Sequence, residues 1–145
     1  MAGRVYLVRH GVAEKEGERD ALRRLTTAGR DGVTALAARL GPRLAVTRIL
    51  TSPLVRARET AALLAAATGA PVAEEEALAS GASSGSGLLA LARRAGPGAA
   101  LVGHNPELGE AVAIAAGRSQ AVPAGTIAAL EVTEEGASLA WLEVP

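Results

Sequence analysis

The chain has 145 residues with 15 basic and 15 acidic side chains, so its formal net charge at pH 7 is zero. A zero net charge gives no field to hold a polyanion, and an aromatic content of 1% leaves no platform on which bases could stack. The absence of cysteine excludes disulfide scaffolds, thiolate metal sites and cysteine nucleophiles. No apolar run approaches the roughly 18 residues of a membrane span. We therefore expect a soluble, cytoplasmic single domain, residues 1–145, with neither nucleic acid nor a membrane as partner.

Short apolar runs alternate with segments of helical period, which predicts an α/β domain with a largely parallel sheet. From Thr27 apolar residues recur at helical spacing, and Gly41-Pro42 ends this helix. Ser52 and Asn105, each followed by proline, are interpreted as helix caps without a catalytic role. Further helices are predicted to run to about Thr68, over residues 88–94 and to Gly117, and strands over residues 5–8, 48–51, near 72 and 99–102. A hairpin of residues 127–132 and 138–144 completes a three-layer α/β/α sandwich with a mostly parallel, mixed sheet.

The chain contains two histidines, and each directly follows a predicted buried strand. They stand in the sequences Arg9-His10-Gly11 and Gly103-His104. Ligands of open α/β sheets bind beyond the carboxyl ends of the strands, so these ends and the segment from Ser52 to Arg56 are expected to converge. The resulting pocket would hold two imidazoles and several guanidiniums.

A pocket of this kind favours a dianionic phosphoryl group, because guanidiniums and helix N-termini both present N–H donors to phosphate oxygens. Arg56 is expected in the first turn of the helix after Ser52, and the Arg23-Arg24 pair is expected to reach over from the first loop. No metal is predicted, because cysteine is absent and the histidines lack i, i+4 spacing. A neutral imidazole is then the strongest nucleophile available, which assigns that role to His10. The adjacent Arg9 is expected to lower the pKa of His10 and keep its ring neutral.

Three motifs in this order resemble the signature of the histidine phosphatase superfamily: Arg9-His10-Gly11, Ser52-Pro53-Leu54-Val55-Arg56-Ala57-Arg58-Glu59-Thr60 and Gly103-His104-Asn105-Pro106. The short chain and the segment Leu22-Arg23-Arg24-Leu25-Thr26 are similar to the small SixA-like phosphohistidine phosphatases. The resemblance implies a phosphoglycerate mutase-like fold and a two-step reaction through phosphorylated His10, without a cofactor. It also implies that Arg9, Arg56 and His104 bind and stabilise the transferring group, with Arg23 as a further phosphate ligand.

The chain departs from longer members of that superfamily, which have a helical insertion after the third strand that supplies an acid and encloses a small substrate. Here the segment from Glu74 to Gly87 has the acidic, then serine- and glycine-rich composition of a surface loop. Its first glutamates, Glu74, Glu75 and Glu76, are expected to be solvated, so no proton donor is assigned. Because imidazole is a better leaving group than an alkoxide, an open site without an acid favours phosphohistidine on a protein.

The sequence leaves three functions open. The leading hypothesis is a metal-independent phosphatase that acts on phosphohistidine in a signalling or phosphotransfer protein. The alternatives are a phosphatase of small phosphate monoesters and a phosphate- or phosphopeptide-binding module with little turnover. The partner is accordingly a phosphorylated protein or a small phosphorylated substrate, and the sequence does not predict the oligomeric state.

Overall fold

The computed structural model describes residues 3–15 and 19–145, and its strands form one six-stranded mixed sheet. The strands are β1 (Gly3–Arg9), β2 (Arg48–Thr51), β3 (Val72–Glu74), β4 (Ala99–Gly103), β5 (Ile127–Val132) and β6 (Ala137–Glu143). Their order across the sheet is β3-β2-β4-β1-β5-β6. The first four strands pair in parallel, whereas β5 is antiparallel to both β1 and β6. The predicted mixed sheet with a C-terminal hairpin is confirmed.

In the described part of the chain, four α-helices cover the two faces of this sheet. They are α1 (Thr27–Leu40), α2 (Val55–Thr68), α3 (Gly85–Ala95) and α4 (Glu107–Ala116). Leu36 of α1 and Leu64 of α2 lie in one core cluster, and Leu88 of α3 and Leu108 of α4 lie in the other. Burial of the sheet from both sides gives the predicted three-layer sandwich. None of these helices is long and apolar enough to cross a membrane.

The central strand β4 explains where polar side chains gather. All five of its residues, Ala99–Gly103, are buried, because β1 and β2 flank it and helices cover both faces. Since β1, β2 and β4 are mutually parallel, their carboxyl ends lie at the same edge of the sheet. The residues that follow these three strands are therefore brought together.

The start of α2 differs from the prediction. The helix begins at Val55, with Leu54 as its N-cap residue and no side-chain cap, so Ser52 is not its cap. The Ser52 hydroxyl accepts a hydrogen bond from the Leu54 N–H at 3.2 Å and also contacts His104. This side chain therefore shapes the turn from β2 into α2 and faces a residue of another strand.

The start of α4 differs in a similar way. Pro106 is the N-cap residue, and the helix proper begins at Glu107. The Asn105 side-chain oxygen instead accepts from the Gly109 N–H at 3.0 Å, one turn into the helix. Asn105 thus stabilises the first turn from outside the cap position.

Residues 74–87 are more structured than their composition suggests. Residues Glu76–Leu78 form a short 3₁₀ helix, and the side chain of Leu78 is 2% exposed. Helix α3 already begins at Gly85, where the Ser84 hydroxyl caps it by accepting from the Gly87 N–H at 3.1 Å. A Cβ atom at Gly85 would lie 2.5 Å from the Cβ of Glu110, so glycine is needed here for α3 to pack closely on α4. The expectation of a surface loop over the whole segment is wrong.

Candidate active site

The carboxyl ends of β1, β2 and β4 open into a cleft of about 400 Å³. The ring centroids of His10 and His104 lie 5.1 Å apart in it, with the planes tilted by 53°. The cleft is lined by Arg9, His10, Val12, Ala13, Asp20, Arg23, Arg56, Ser80, His104, Asn105 and Ala124. A larger cavity of about 770 Å³ between α1 and α2 is lined by apolar residues and threonines, without ionisable groups. The cleft at the sheet edge is therefore the candidate active site.

The backbone around His10 is fixed by its neighbours. The His10 N–H donates to the carbonyl of Gly103 at 3.1 Å, and the Gly11 N–H donates to the Thr60 hydroxyl at 3.1 Å. The first bond ties the residue to β4 and the second ties it to α2. The imidazole is thus carried on a backbone held by two different elements.

The hydrogen bonds of the His10 ring assign its tautomer. Its Nδ1 lies 2.8 Å from the Gly11 carbonyl oxygen, which can only accept, so Nδ1 carries the hydrogen. On the other side, Nε of Arg56 lies 3.4 Å from Nε2, and a guanidinium can only donate. Both contacts place a lone pair on Nε2. That nitrogen is the nucleophilic atom of the ring.

The structure keeps this imidazole neutral at neutral pH. Burial lowers the pKa of His10 to about 4, and the charges of Arg56, Arg9 and Arg23 act in the same direction against the hydrogen bond to Gly11. The predicted effect of Arg9 is therefore correct in direction. Burial is nevertheless the largest cause, because desolvation penalises the charged ring more than the neighbouring guanidiniums do. Of the guanidiniums, Arg56 lowers the pKa more than Arg9 does.

His104 is a buried histidine held through Ser52. Its Nε2 lies 2.7 Å from the Ser52 hydroxyl oxygen, and the residue is 2% exposed. Burial, followed by the charges of His10 and Arg56, lowers its pKa to about 3. Its buried Nδ1 has no hydrogen-bond partner in the described structure. Ser52 therefore pairs with one nitrogen of the ring, and Nδ1 is the nitrogen that is left without a protein partner.

Arg56 lies in the first turn of α2, as predicted, and its side chain is 4% exposed. Its Nη1 donates to the backbone oxygen of Asp20 at 2.8 Å, and its Nη2 donates to Oδ2 of the same residue at 3.2 Å. The Nε–H is directed at His10. Arg56 therefore connects the nucleophile to Asp20.

Arg9 approaches the cleft from the end of β1. Its Nη1 donates to the carbonyl oxygen of Val122 at 3.0 Å, and its buried Nε has no partner in the part of the chain that is described. The same carbonyl accepts from Nδ2 of Asn105 at 3.1 Å. Arg9 thus has a guanidinium that is fixed through Nη1 and lines the cleft.

Arg23 lines the cleft, and its guanidinium is bonded to the loop that carries Asp20. Its Nε donates to Oδ1 of Asp20 at 3.0 Å, and its Nη1 donates to the carbonyl of Glu14 at 2.8 Å. These bonds direct the guanidinium at the loop rather than at the two histidines. The structure therefore brings together Arg9, His10, Arg56 and His104, and it connects Arg23 to them through Asp20.

The sequence analysis missed Asp20, Ser80 and Asn105 as residues of the cleft. The sequence does contain a local signal for Asp20, because this acidic residue precedes the basic Arg23 by three positions. In the structure the two side chains form an ion pair of 2.9 Å. Partial desolvation raises the pKa of Asp20, but the hydrogen bonds and charges of Arg23 and Arg56 outweigh it, so the pKa lies below its ordinary value. At neutral pH Asp20 is a carboxylate.

The three glutamates before α3 do not line the cleft. Glu74 is exposed and lies 3.9 Å from the guanidinium of Arg58, which is itself half exposed. The Glu75 carboxylate accepts from the Ala77 N–H at 3.2 Å and so caps the 3₁₀ turn. Glu76 is exposed. The expected solvation holds for Glu74 and Glu76, whereas Glu75 has a local structural role.

The family model of the histidine phosphatase superfamily (branch 1) matches residues 5–82. This range contains Arg9, His10 and Arg56, and it covers more than half of the chain. The chain therefore belongs to the histidine phosphatase superfamily. Family membership and the fold support phosphatase activity.

Individual relatives agree with this assignment. An uncharacterized protein from Picosynechococcus sp. is 44% identical over 123 residues, which cover 79% of this chain and 74% of that protein. The structure of the protein histidine phosphatase SixA complexed with tungstate has a TM-score of 0.85 at 24% identity, covering 98% of this chain and 97% of that chain. SixA from Agrobacterium tumefaciens gives a TM-score of 0.83 at 25% identity, covering 99% and 98%. The resemblance to the SixA-like branch and the phosphoglycerate mutase-like fold are confirmed.

Proposed function

We propose that this protein is a metal-independent phosphatase that forms a phosphohistidine intermediate on His10 and removes phosphate from phosphohistidine in a signalling or phosphotransfer protein. The observation that carries the proposal is the lone pair on Nε2 of His10, at 3.4 Å from the Nε of Arg56 in an open cleft. The similarity to SixA proteins supports the choice of substrate.

In the first step the Nε2 lone pair of His10 attacks phosphorus, and the phosphorus–nitrogen bond of the substrate breaks. The electron pair goes to the substrate imidazole, which leaves as a neutral ring when its second nitrogen carries a proton. Donors on Arg9, Arg56 and His104 stabilise the oxygens of the transferring group. In the enzyme, Nδ1–H of phosphorylated His10 remains bonded to the Gly11 carbonyl.

In the second step a water oxygen attacks the phosphorus, and the bond to Nε2 breaks. The electron pair returns to Nε2, and both water protons stay on the released dihydrogen phosphate. His10 thereby regains its starting tautomer, so the cycle needs no external proton source. The low pKa of His10 makes this neutral ring the stable product at neutral pH.

The charge state of Asp20 bears on the choice between nitrogen and oxygen leaving groups. Among residues 3–15 and 19–145, Asp20 is the carboxylate that lines the cleft, and its oxygens accept hydrogen bonds from Arg23 and Arg56. An ionised, doubly paired carboxylate is not a proton donor. An alkoxide leaving group needs such a donor, whereas an imidazole leaving group whose second nitrogen is protonated does not. This difference favours a substrate with a phosphorus–nitrogen bond.

A trapping experiment tests the covalent step. The protein is mixed briefly with phosphohistidine protein labelled on phosphorus and quenched in alkali, in which a phosphoramidate survives. We expect label on the wild-type protein and none on His10→Asn, which keeps a similar side-chain size but has no nucleophilic nitrogen. A wild-type protein that stays unlabelled under turnover conditions would contradict the proposal.

A substrate panel tests the specificity, with phosphohistidine protein, phosphoramidate and phosphate monoesters compared at equal concentration. We expect kcat/KM to be highest for the nitrogen-linked substrates, and unchanged by EDTA. A preference for an alkyl phosphate would favour the small-ester phosphatase. Tight stoichiometric binding of phosphate with no turnover of any substrate would favour the binding module.

A further inference from the structure

The carboxylate of Asp20 lies between two arginines at the entrance to the cleft. Its Oδ2 accepts from Nη2 of Arg56 at 3.2 Å, and its Oδ1 lies 3.0 Å from Nε and 2.9 Å from Nη2 of Arg23. The backbone oxygen of Asp20 also accepts from Nη1 of Arg56 at 2.8 Å. One residue therefore binds Arg56 through both its main chain and its side chain.

The nitrogens of the Arg56 guanidinium have two different partners. The two terminal nitrogens are bound to Asp20, and the Nε–H is left to face Nε2 of His10 at 3.4 Å. Two bonds at the end of a planar group fix both its position and the rotation of its plane. The side chain of Arg56 is 4% exposed, whereas that of Asp20 is 64% exposed, so the anchor lies on the solvent side of the group it holds.

We propose that Asp20 is a positioning residue of the phosphate site. Its carboxylate holds the end of Arg56 so that the Nε–H edge faces the phosphoryl group on His10, and it ties Arg23 to the same entrance. The inference rests on the proposed function, because it takes Arg56 to be a donor to the transferring phosphoryl group. Asp20 itself acts through the two arginines.

A different role for Asp20 would have the opposite signature. A carboxylate that merely occupies the arginines competes with phosphate, so its removal would strengthen phosphate binding and leave kcat intact. A positioning carboxylate contributes to the transition state, where misplacement of a donor is costly, so its removal lowers kcat. The two roles are thus separated by the kinetic parameter that changes.

The kinetic test uses Asp20→Asn and Asp20→Ala, with Asp31→Asn on the exposed side of α1 as the matched control. We expect kcat for phosphoramidate to fall by about tenfold. This is less than the roughly 10²-fold cost of losing a direct donor, because the backbone oxygen of Asp20 still binds Arg56. In the Arg56→Ala background the further change Asp20→Asn should cost much less than it does in the wild-type protein, since only the contact to Arg23 is left to lose.

Two kinetic outcomes would overturn the inference. One is a kcat of Asp20→Asn within about threefold of wild type, and the other is a double variant whose loss is the product of the two single losses. Unfolding of both Asp20 variants, seen by circular dichroism, would give Asp20 a purely structural role and overturn it as well. Asp31→Asn should match wild type in kcat and in melting temperature.

A second readout does not depend on turnover. The Nε–H resonance of Arg56, identified by its loss in Arg56→Lys, should be slow to exchange and ordered in wild type, and faster to exchange in Asp20→Asn but not in Asp31→Asn. If the wild-type protein turns over no substrate, the proposed function fails and this measurement still decides the role of Asp20. If Arg56 stays equally ordered in Asp20→Asn, the inference fails and the proposed function stands.

Discussion

Nε2 of His104 lies 2.7 Å from the hydroxyl oxygen of Ser52, a contact that joins the end of β4 to the end of β2. Both residues are buried, so neither group has water as an alternative partner. The contact also determines which nitrogen of His104 is free for a ligand. Ser52 is therefore part of the site rather than only a residue of a turn.

Ser52→Ala removes the partner of a buried imidazole nitrogen. We expect the free energy of unfolding to fall by roughly 1–3 kcal/mol, the usual cost of an unsatisfied buried polar group. We also expect a lower kcat, because the orientation of the His104 ring is no longer fixed by this contact. Urea denaturation and steady-state kinetics measure both effects, with exposed Ser138→Ala as control. If the two alanine variants behave alike, Ser52 does not support His104.

Arg56→Lys should be almost as damaging as Arg56→Ala. The guanidinium binds Asp20 with two nitrogens and faces His10 with the third, and an ammonium cannot make this set of contacts. We expect a loss in kcat of about 10²-fold or more for both variants, measured with phosphoramidate. The control is Arg58→Lys, because the guanidinium of Arg58 is half exposed and pairs with Glu74 outside the cleft. Near-wild-type rates for Arg56→Lys would reduce the role of Arg56 to its charge.

Substitution of the glutamates before α3 should have little effect on the reaction. Glu74→Gln, Glu75→Gln and Glu76→Gln should each lower kcat by under roughly tenfold, less than the 10² to 10⁴ of a typical general acid. The structure gives the reason, because none of the three lines the cleft. Rates for phosphate monoesters should fall steeply as the pKa of the leaving group rises. A flat dependence in wild type that becomes steep in one variant would identify that glutamate as the acid.

The two histidines predict how stability depends on pH. Their pKa values are about 4 for His10 and about 3 for His104 in the folded state, against an ordinary value of 6.5. At pH values between the folded and the ordinary pKa, the unfolded chain therefore binds more protons than the folded protein. Stability decreases as the pH falls from about 6.5 towards 4. Thermal melts over this range should show a smaller decrease in a His10→Asn, His104→Asn double variant. An equal decrease in both proteins would contradict neutral burial of the rings.

The sequence predicts the elements that depend on local patterns. Helix α1 begins at Thr27 and ends at Leu40 because its apolar spacing, its cap at Thr26 and Gly41 are all adjacent in the chain. Strand β2 and the C-terminal hairpin likewise follow from short apolar runs and a turn. His10 and His104 each follow a predicted buried strand of a parallel sheet. Because the carboxyl ends of parallel strands lie at the same edge, both rings are expected at that edge.

The features that the sequence does not predict depend on distant partners. Serine is a residue type typical of helix N-caps, but the contact of Ser52 to His104 spans 52 residues. Gly85 looks like part of a loop, and only the packing of α3 on α4 explains it. Asp20 and Arg56 are 36 residues apart, so their hydrogen bonds leave no periodic trace in the sequence. Local propensity carries no information about such pairs.

The segment that carries Asp20 and Arg23 is closed at its base. The Thr26 N–H donates to the carbonyl of Val12 at 2.9 Å, and Ala13 and Leu25 form an isolated antiparallel bridge. The nucleophile precedes this closure and is held by other elements. In protein engineering terms, Asp20 and Arg23 are the positions at which the selectivity of the entrance can be redesigned while the strand ends that carry the imidazoles are left untouched. Because Asp20 also binds Arg56, such a redesign has to keep its two hydrogen bonds to that guanidinium.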